Sequence, residues 1–147
     1  MSITLADQLD LQVAWRRVKY DLRHRAFLTL PYELELIEID LDGWLAAIDR
    51  SIREDTYSPG PMVVCDVPKP GWLIRPGSHL SLVDRVVYTA TVGACYPLIH
   101  AALQWSQGVI DFGYRLAADP NSPFWLKSRY TGWQGFRDKS KEILQEP

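Results

Sequence analysis

An α+β fold is predicted for this 147-residue chain by three features of its sequence. Two segments repeat apolar residues at helical spacing, a turn rich in proline and glycine joins two β-rich runs into a hairpin, and a long apolar segment opens on a helix-capping signature. With 47% hydrophobic and 23% charged residues the composition is that of an ordinary globular protein, which excludes a disordered chain. The length suits one domain, read here as residues 1–147.

Taken in order, Leu11, Trp15, Val18 and Leu22 step by four, three and four and form the apolar stripe of a first helix. Arg16, Arg17, Lys19, Arg23 and Arg25 fall off that stripe, as a solvated basic face or a surface for phosphate backbones. After Pro31 the pattern alternates, Glu33-Leu34-Glu35-Leu36 and then Glu38-Ile39-Asp40-Leu41, which predicts a strand with one acidic face that repels nucleic acid. Asp42 is the expected N-cap of a short helix to about Glu54, built on Leu41, Leu45, Ile48 and Ile52, and Tyr57-Ser58-Pro59-Gly60-Pro61 ends it.

Met62 to Val67 and Trp72 to Arg75 read as strands joined by Pro68-Lys69-Pro70-Gly71, a hairpin with a lysine at its tip. Ser81 and Asp84 form a capping-box variant before Leu82, Val83, Val86 and Val87. That helical segment is expected to run, kinked at Pro97, to about Trp105, to stop at Gly108, and to form the core on which the small sheet packs. Val109 to Leu116 reads as a strand and 119–123 as a loop. The remainder interleaves Phe124, Trp125, Tyr130, Trp133 and Phe136 with Lys127, Arg129, Arg137, Lys139 and Lys141.

The net charge of −2 offers nucleic acid no overall attraction, yet it is unevenly spread: residues 1–30 carry +2, 31–66 carry −7 and 67–147 carry +3. Cys65 and Cys95 have neither zinc-ligand spacing nor a disulfide framework around them and read as reduced cytoplasmic thiols. Asp7 and Asp10 occupy the place of a signal peptide's apolar stretch, so export is not expected. No charge occurs between Arg85 and Asp111, long enough for a bilayer span. Thr89, Thr91, Gly93, Pro97, His100, Gln104, Ser106 and Gln107 interrupt it, however, which favours a buried helix pair and no membrane partner.

Common catalytic templates are absent: there is no glycine-rich phosphate loop, no His-Glu-x-x-His and no Gly-x-Ser-x-Gly. His24, His79 and His100 are scattered, and the acids of 33–42 alternate along a line, so neither a catalytic group nor a metal site is expected in this chain. Lys69, a compact charge at a turn, and Arg75, a planar fork on the return strand, are the residues best suited to grip phosphate oxygens. The alternative is a solvated lysine with Arg75 paired to Asp66 or to an acid of 33–42.

Pro68-Lys69-Pro70-Gly71, Arg75-Pro76-Gly77 and Asp84-Arg85-Val86-Val87-Tyr88 come in this order, flanked by Tyr57-Ser58-Pro59, Phe112-Gly113-Tyr114-Arg115-Leu116 and Trp133-Gln134-Gly135-Phe136. Together they resemble the fingers region of reverse transcriptases of the group II intron and retron type, and most closely the bacterial defence-associated, or abortive-infection-like, ones. The resemblance covers about residues 10–140. It implies a fingers-type subdomain with an incomplete palm, in which Lys69 and Arg75 bind the phosphates of the incoming dNTP. A working enzyme of this kind needs palm aspartates, including a Tyr-x-Asp-Asp turn, to hold two magnesium ions, and no Asp-Asp occurs here. The expectation is therefore an N-terminal fragment of an RNA-directed DNA polymerase serving anti-phage defence, truncated before its catalytic aspartates and inactive alone. Mg2+ and the template-primer would act through the full-length enzyme.

Further contacts with nucleic acid are expected from Arg85, on template phosphate or bracing the hairpin, from Trp72 by stacking, and from Lys127 and Arg129 in the aromatic tail. A surface ion pair for Arg85 and a packed Trp72 are the plainer alternatives. Two other classes of function compete. One is a stand-alone single-stranded nucleic-acid-binding module using the basic first helix and the tail. The other is a protein-interaction domain pairing through the acidic strand, Glu33 to Asp42.

Overall fold

The structure, a computed structural model, describes residues 4–24, 31–69, 71, 73–103, 119, 122–124, 126 and 128–145. After a single 3-10 turn at Ala6–Gln8 come α1 (Leu11–His24), α2 (Pro31–Ile39), α3 (Leu41–Arg53), β1 (Val63–Lys69), β2 (Leu73–His79), α4 (Leu82–Leu103) and α5 (Arg129–Gln145). This is an α+β fold, and it divides into two compact units, Met1–Ala94 and Cys95–Pro147.

The core of the first unit grows from the α1 stripe. Asp10 starts the helix by accepting from the Val13 amide at 2.8 Å, and Leu11, Trp15, Val18 and Leu22 are all buried as their spacing predicts. Trp15, only 2% exposed, meets Trp44 edge to face with ring centroids 5.4 Å apart. An indole of that size removes about 200 Å² from water, at most about 5 kcal/mol of transfer free energy. Leu34, Leu45, Ile48, Leu82, Val86 and Ala90 complete the cluster.

The segment expected as an acidic strand is instead helical. Pro31 takes the first helical position, where its missing N–H costs nothing. Helical spacing puts Leu34 in the core, with Ile37 and Leu41 against it, while Leu36 and Ile39 are 67% and 80% exposed. Glu33, Glu35 and Glu38 therefore do not line one strand face, and the pairing edge expected there does not exist. Glu38 instead pairs with Lys19 and, at 3.4 Å, with Arg23, so one carboxylate is shared between two cations of the α1 basic face.

The N-cap of α3 is Asp40, not Asp42. Its carboxylate accepts from the Gly43 amide at 3.1 Å, and a side chain at Gly43 would collide with that carboxylate. Asp42 falls in the first turn and accepts from Gln12 at 3.1 Å. The helix ends in a Schellman arrangement, with Thr56 N–H donating to Ser51 C=O at 2.9 Å and Asp55 N–H to Ile52 C=O at 3.2 Å. Asp55 takes the left-handed position, φ 54°, that glycine usually fills.

α4 is one helix with Pro97 inside it rather than a buried pair, and its burial is confined to Leu82, Asp84, Val86, Thr89 and Ala90. Leu98, Ile99 and Leu103 are exposed, and by length and composition α4 could cross a membrane. In the second unit, Tyr96 lies against His100 and α5 carries Trp133 against Phe136 at 5.6 Å. The strand expected at Val109 to Leu116 lies outside the described residues.

Candidate functional site

β1 and β2 pair antiparallel with Lys69 opposite Leu73, Val67 opposite Arg75 and Cys65 opposite Gly77. Side chains alternate between faces, so Lys69, Val67 and Cys65 share one face with Leu73, Arg75 and His79. Lys69 and Arg75 are thus diagonal neighbours on one face, a relation that sets Cα atoms about 7–8 Å apart in antiparallel pairs. That suits two cations straddling one phosphate chain.

Asp66, opposite Pro76, belongs to the other face and cannot neutralise Arg75 across the ladder. Of the acids of 33–42 expected as alternative partners, Glu38 pairs with α1, Asp40 accepts at the cap of α3 and Asp42 accepts from Gln12. Among the described residues neither Lys69 nor Arg75 meets a carboxylate.

The strands are longer than predicted and the turn between them shorter. Gly71 sits at its centre with φ +84°, open to a residue without a side chain. Proline cannot donate to a ladder, so Pro68 and Pro76 occupy outward positions, one on each edge, and deny both edges to a third strand. The hairpin therefore stands as an arm of two strands with open cationic and apolar side chains.

Its root is fixed by one carboxylate. Asp84, 7% exposed, accepts from Tyr57 Oη and Ser81 Oγ at 2.7 Å each and from the Gly60 amide at 3.2 Å. Gly60 lies just before β1 and Ser81 just after β2, so both ends of the hairpin meet the first turn of α4. Ser81 Oγ also accepts from the Asp84 amide at 3.1 Å, which completes the expected capping box in altered form: Asp84 takes the hydroxyl rather than the backbone N–H of Ser81. These donors, Ser81 first and Tyr57 next, hold the Asp84 carboxyl below the usual carboxylate range against the opposing effect of burial. Burial, and then the bond to Asp84, push the Tyr57 phenol up to about 12. Sequence reading found the Ser81–Asp84 pair but missed Tyr57 and Gly60, because contacts spanning more than twenty positions leave no periodic trace.

Arg85 reaches α1 and pairs with Asp21 at 2.9 Å, with 23% and 47% of the two side chains exposed. This is the ion-pair alternative for Arg85, and it fastens the root helix to the core. Trp72 and Lys127 lie outside the described residues. Arg129 opens α5, but its side chain lies outside them too. Among the described residues no three His, Cys, Asp or Glu side chains group to hold a metal ion, so the magnesium implied by the resemblance finds no ligand set among them.

Compared with family models, curated proteins and solved structures, the chain has no match.

Proposed function

We propose that this chain is the N-terminal, fingers-type part of an RNA-directed DNA polymerase of the anti-phage defence kind, binding the template and the triphosphate of the incoming dNTP. The observation that carries the reading is the diagonal placement of Lys69 and Arg75 on one hairpin face, with no carboxylate against either among the described residues. A compact ammonium and a planar guanidinium at that spacing can share the oxygens of a polyphosphate, and a short arm anchored at its root can swing them over a bound nucleotide. In this reading Arg85 braces the arm through Asp21, and Trp72, Lys127 and Arg129 are assigned to template binding. Two-metal chemistry belongs to residues of the longer enzyme, since the chain has no Asp-Asp pair.

Calorimetric titration of the full chain with dTTP tests it. Lys69→Ala and Arg75→Ala should each weaken binding by roughly tenfold or more, the worth of a hydrogen bond to a charged group. Inorganic triphosphate should compete and thymidine should not. Equal dTTP affinity in the parent and the double variant would remove the reading, and primer extension by this chain alone would overturn its division of labour.

A further inference from the structure

We propose that α5 carries a second, separate contact surface, for single-stranded nucleic acid. Tyr130, Trp133, Arg137 and Lys141 follow one another by three, four and four residues and so lie on one side of the helix. Tyr130 and Trp133 are 64% and 59% exposed, large aromatic surface that a soluble helix does not ordinarily leave in water. Of the described acids of the helix, Asp138 borders this face, and Glu142 lies farther round, paired with Lys139 at 2.6 Å.

The result is a face of two aromatic planes followed by two cations. Arg137 donates through both Nε and Nη2 to the neighbouring Asp138 at 3.3 Å, with both side chains at least half exposed, a surface contact that phosphate can compete for. Lys141 meets no carboxylate among the described residues. Four residues of helix separate Arg137 from Lys141 by about 6 Å along the axis, and the whole face is about 16 Å long, room for a few unstacked nucleotides.

A polyanion whose bases offer π-faces satisfies both halves of this surface at once: bases stack on Tyr130 and Trp133, and phosphates meet Arg137 and Lys141. An apolar protein partner would leave the cations buried without counter-charges, which is costly. Stacking and phosphate pairing read neither base nor sugar, so the face takes RNA and DNA strands alike. This surface is independent of Lys69 and Arg75.

The test is fluorescence anisotropy of the full chain with labelled oligo-uridine of about 12 nucleotides, and with oligo-thymidine of the same length, across a salt series. Expected are similar affinities for the two, a loss of roughly tenfold or more for Trp133→Ala combined with Tyr130→Ala, and recovery in Trp133→Phe. Arg137→Gln with Lys141→Gln should reduce the slope of log affinity against log salt by about 1.4, about 0.7 for each lost phosphate contact. Circular dichroism of each variant shows whether α5 has kept its helix. Lys69→Ala with Arg75→Ala should leave oligonucleotide binding unchanged while weakening dTTP, so the two sites fail separately. Unchanged binding in the α5 variants, or a self-association abolished by Trp133→Ala, would overturn the proposal.

Discussion

The phenol of Tyr57 donates a 2.7 Å hydrogen bond to the buried carboxylate of Asp84, and through it the chain entering the hairpin is tied to the helix that leaves it. Removing the donor with Tyr57→Phe should cost about 1.5–3 kcal/mol, and Asp84→Ala more, since it removes the acceptor of three hydrogen bonds at once. The pH dependence follows from the two shifts. Asp84 is depressed in the folded chain, so its contribution is present above about pH 3.9 and is lost as the pH falls through its folded value. Tyr57 is raised from 10.0 to about 12, so its contribution is complete below pH 10.0 and disappears as the pH climbs through about 12. Urea unfolding of the parent and of Tyr57→Phe between pH 9 and 12 is the measurement, and only the parent should show the alkaline loss attributable to this pair.

Helix and strand readings of α2 make opposite demands on two leucines. A strand would bury Leu34 and Leu36 together, whereas the helix buries Leu34 at 4% exposure and leaves Leu36 at 67%. Leu34→Ala should therefore cost about 2–4 kcal/mol and Leu36→Ala less than about 0.5. Similar costs for both, measured by chemical unfolding, would return the segment to an extended conformation.

What was legible in the sequence was what repeats or what turns. Leu11, Trp15, Val18 and Leu22, and again Leu45 and Ile48, announced their helices through spacing, and the Pro-Lys-Pro-Gly turn placed the hairpin. The alternation of 33–41 misled because Leu34 and Leu36, and then Ile39 and Leu41, alternate with acids while Leu34, Ile37 and Leu41 also step by three and four, and only the packing of Leu34 in the core decides between them. Apolar content likewise marked the whole of α4 as core, whereas its buried residues are confined to Leu82, Asp84, Val86, Thr89 and Ala90. At the candidate site, Lys69 and Arg75 could be named from the sequence, but their common face depended on the register, which follows the turn length, and the turn is shorter than predicted. The bonds from Tyr57 and Gly60 to Asp84 and the Asp21–Arg85 pair left no trace, being contacts between distant positions.

Two backbone positions with positive φ respond to substitution in opposite directions. Gly71, at φ +84°, should lose about 1 kcal/mol on mutation to alanine, with no steric contact involved, because the cost is conformational. Asp55, at φ 54°, occupies the left-handed end of α3, and Asp55→Gly should gain a few tenths to about 1 kcal/mol. Thermal unfolding reads both, and a stabilising Gly71→Ala would contradict the turn geometry.

The Arg85–Asp21 pair separates bracing from template contact. If the guanidinium serves mainly to hold α4 on α1, Arg85→Ala and Asp21→Asn should each destabilise the chain by about 1 kcal/mol, and the double variant should cost scarcely more than either, because the two share one interaction. Neither change should alter the salt slope of oligonucleotide binding, since a cation already compensated inside the fold releases no counterion from the strand. A slope reduced by about 0.7 in Arg85→Ala alone, with stability intact, would instead assign Arg85 to the template and make Asp21 its competitor for the same guanidinium.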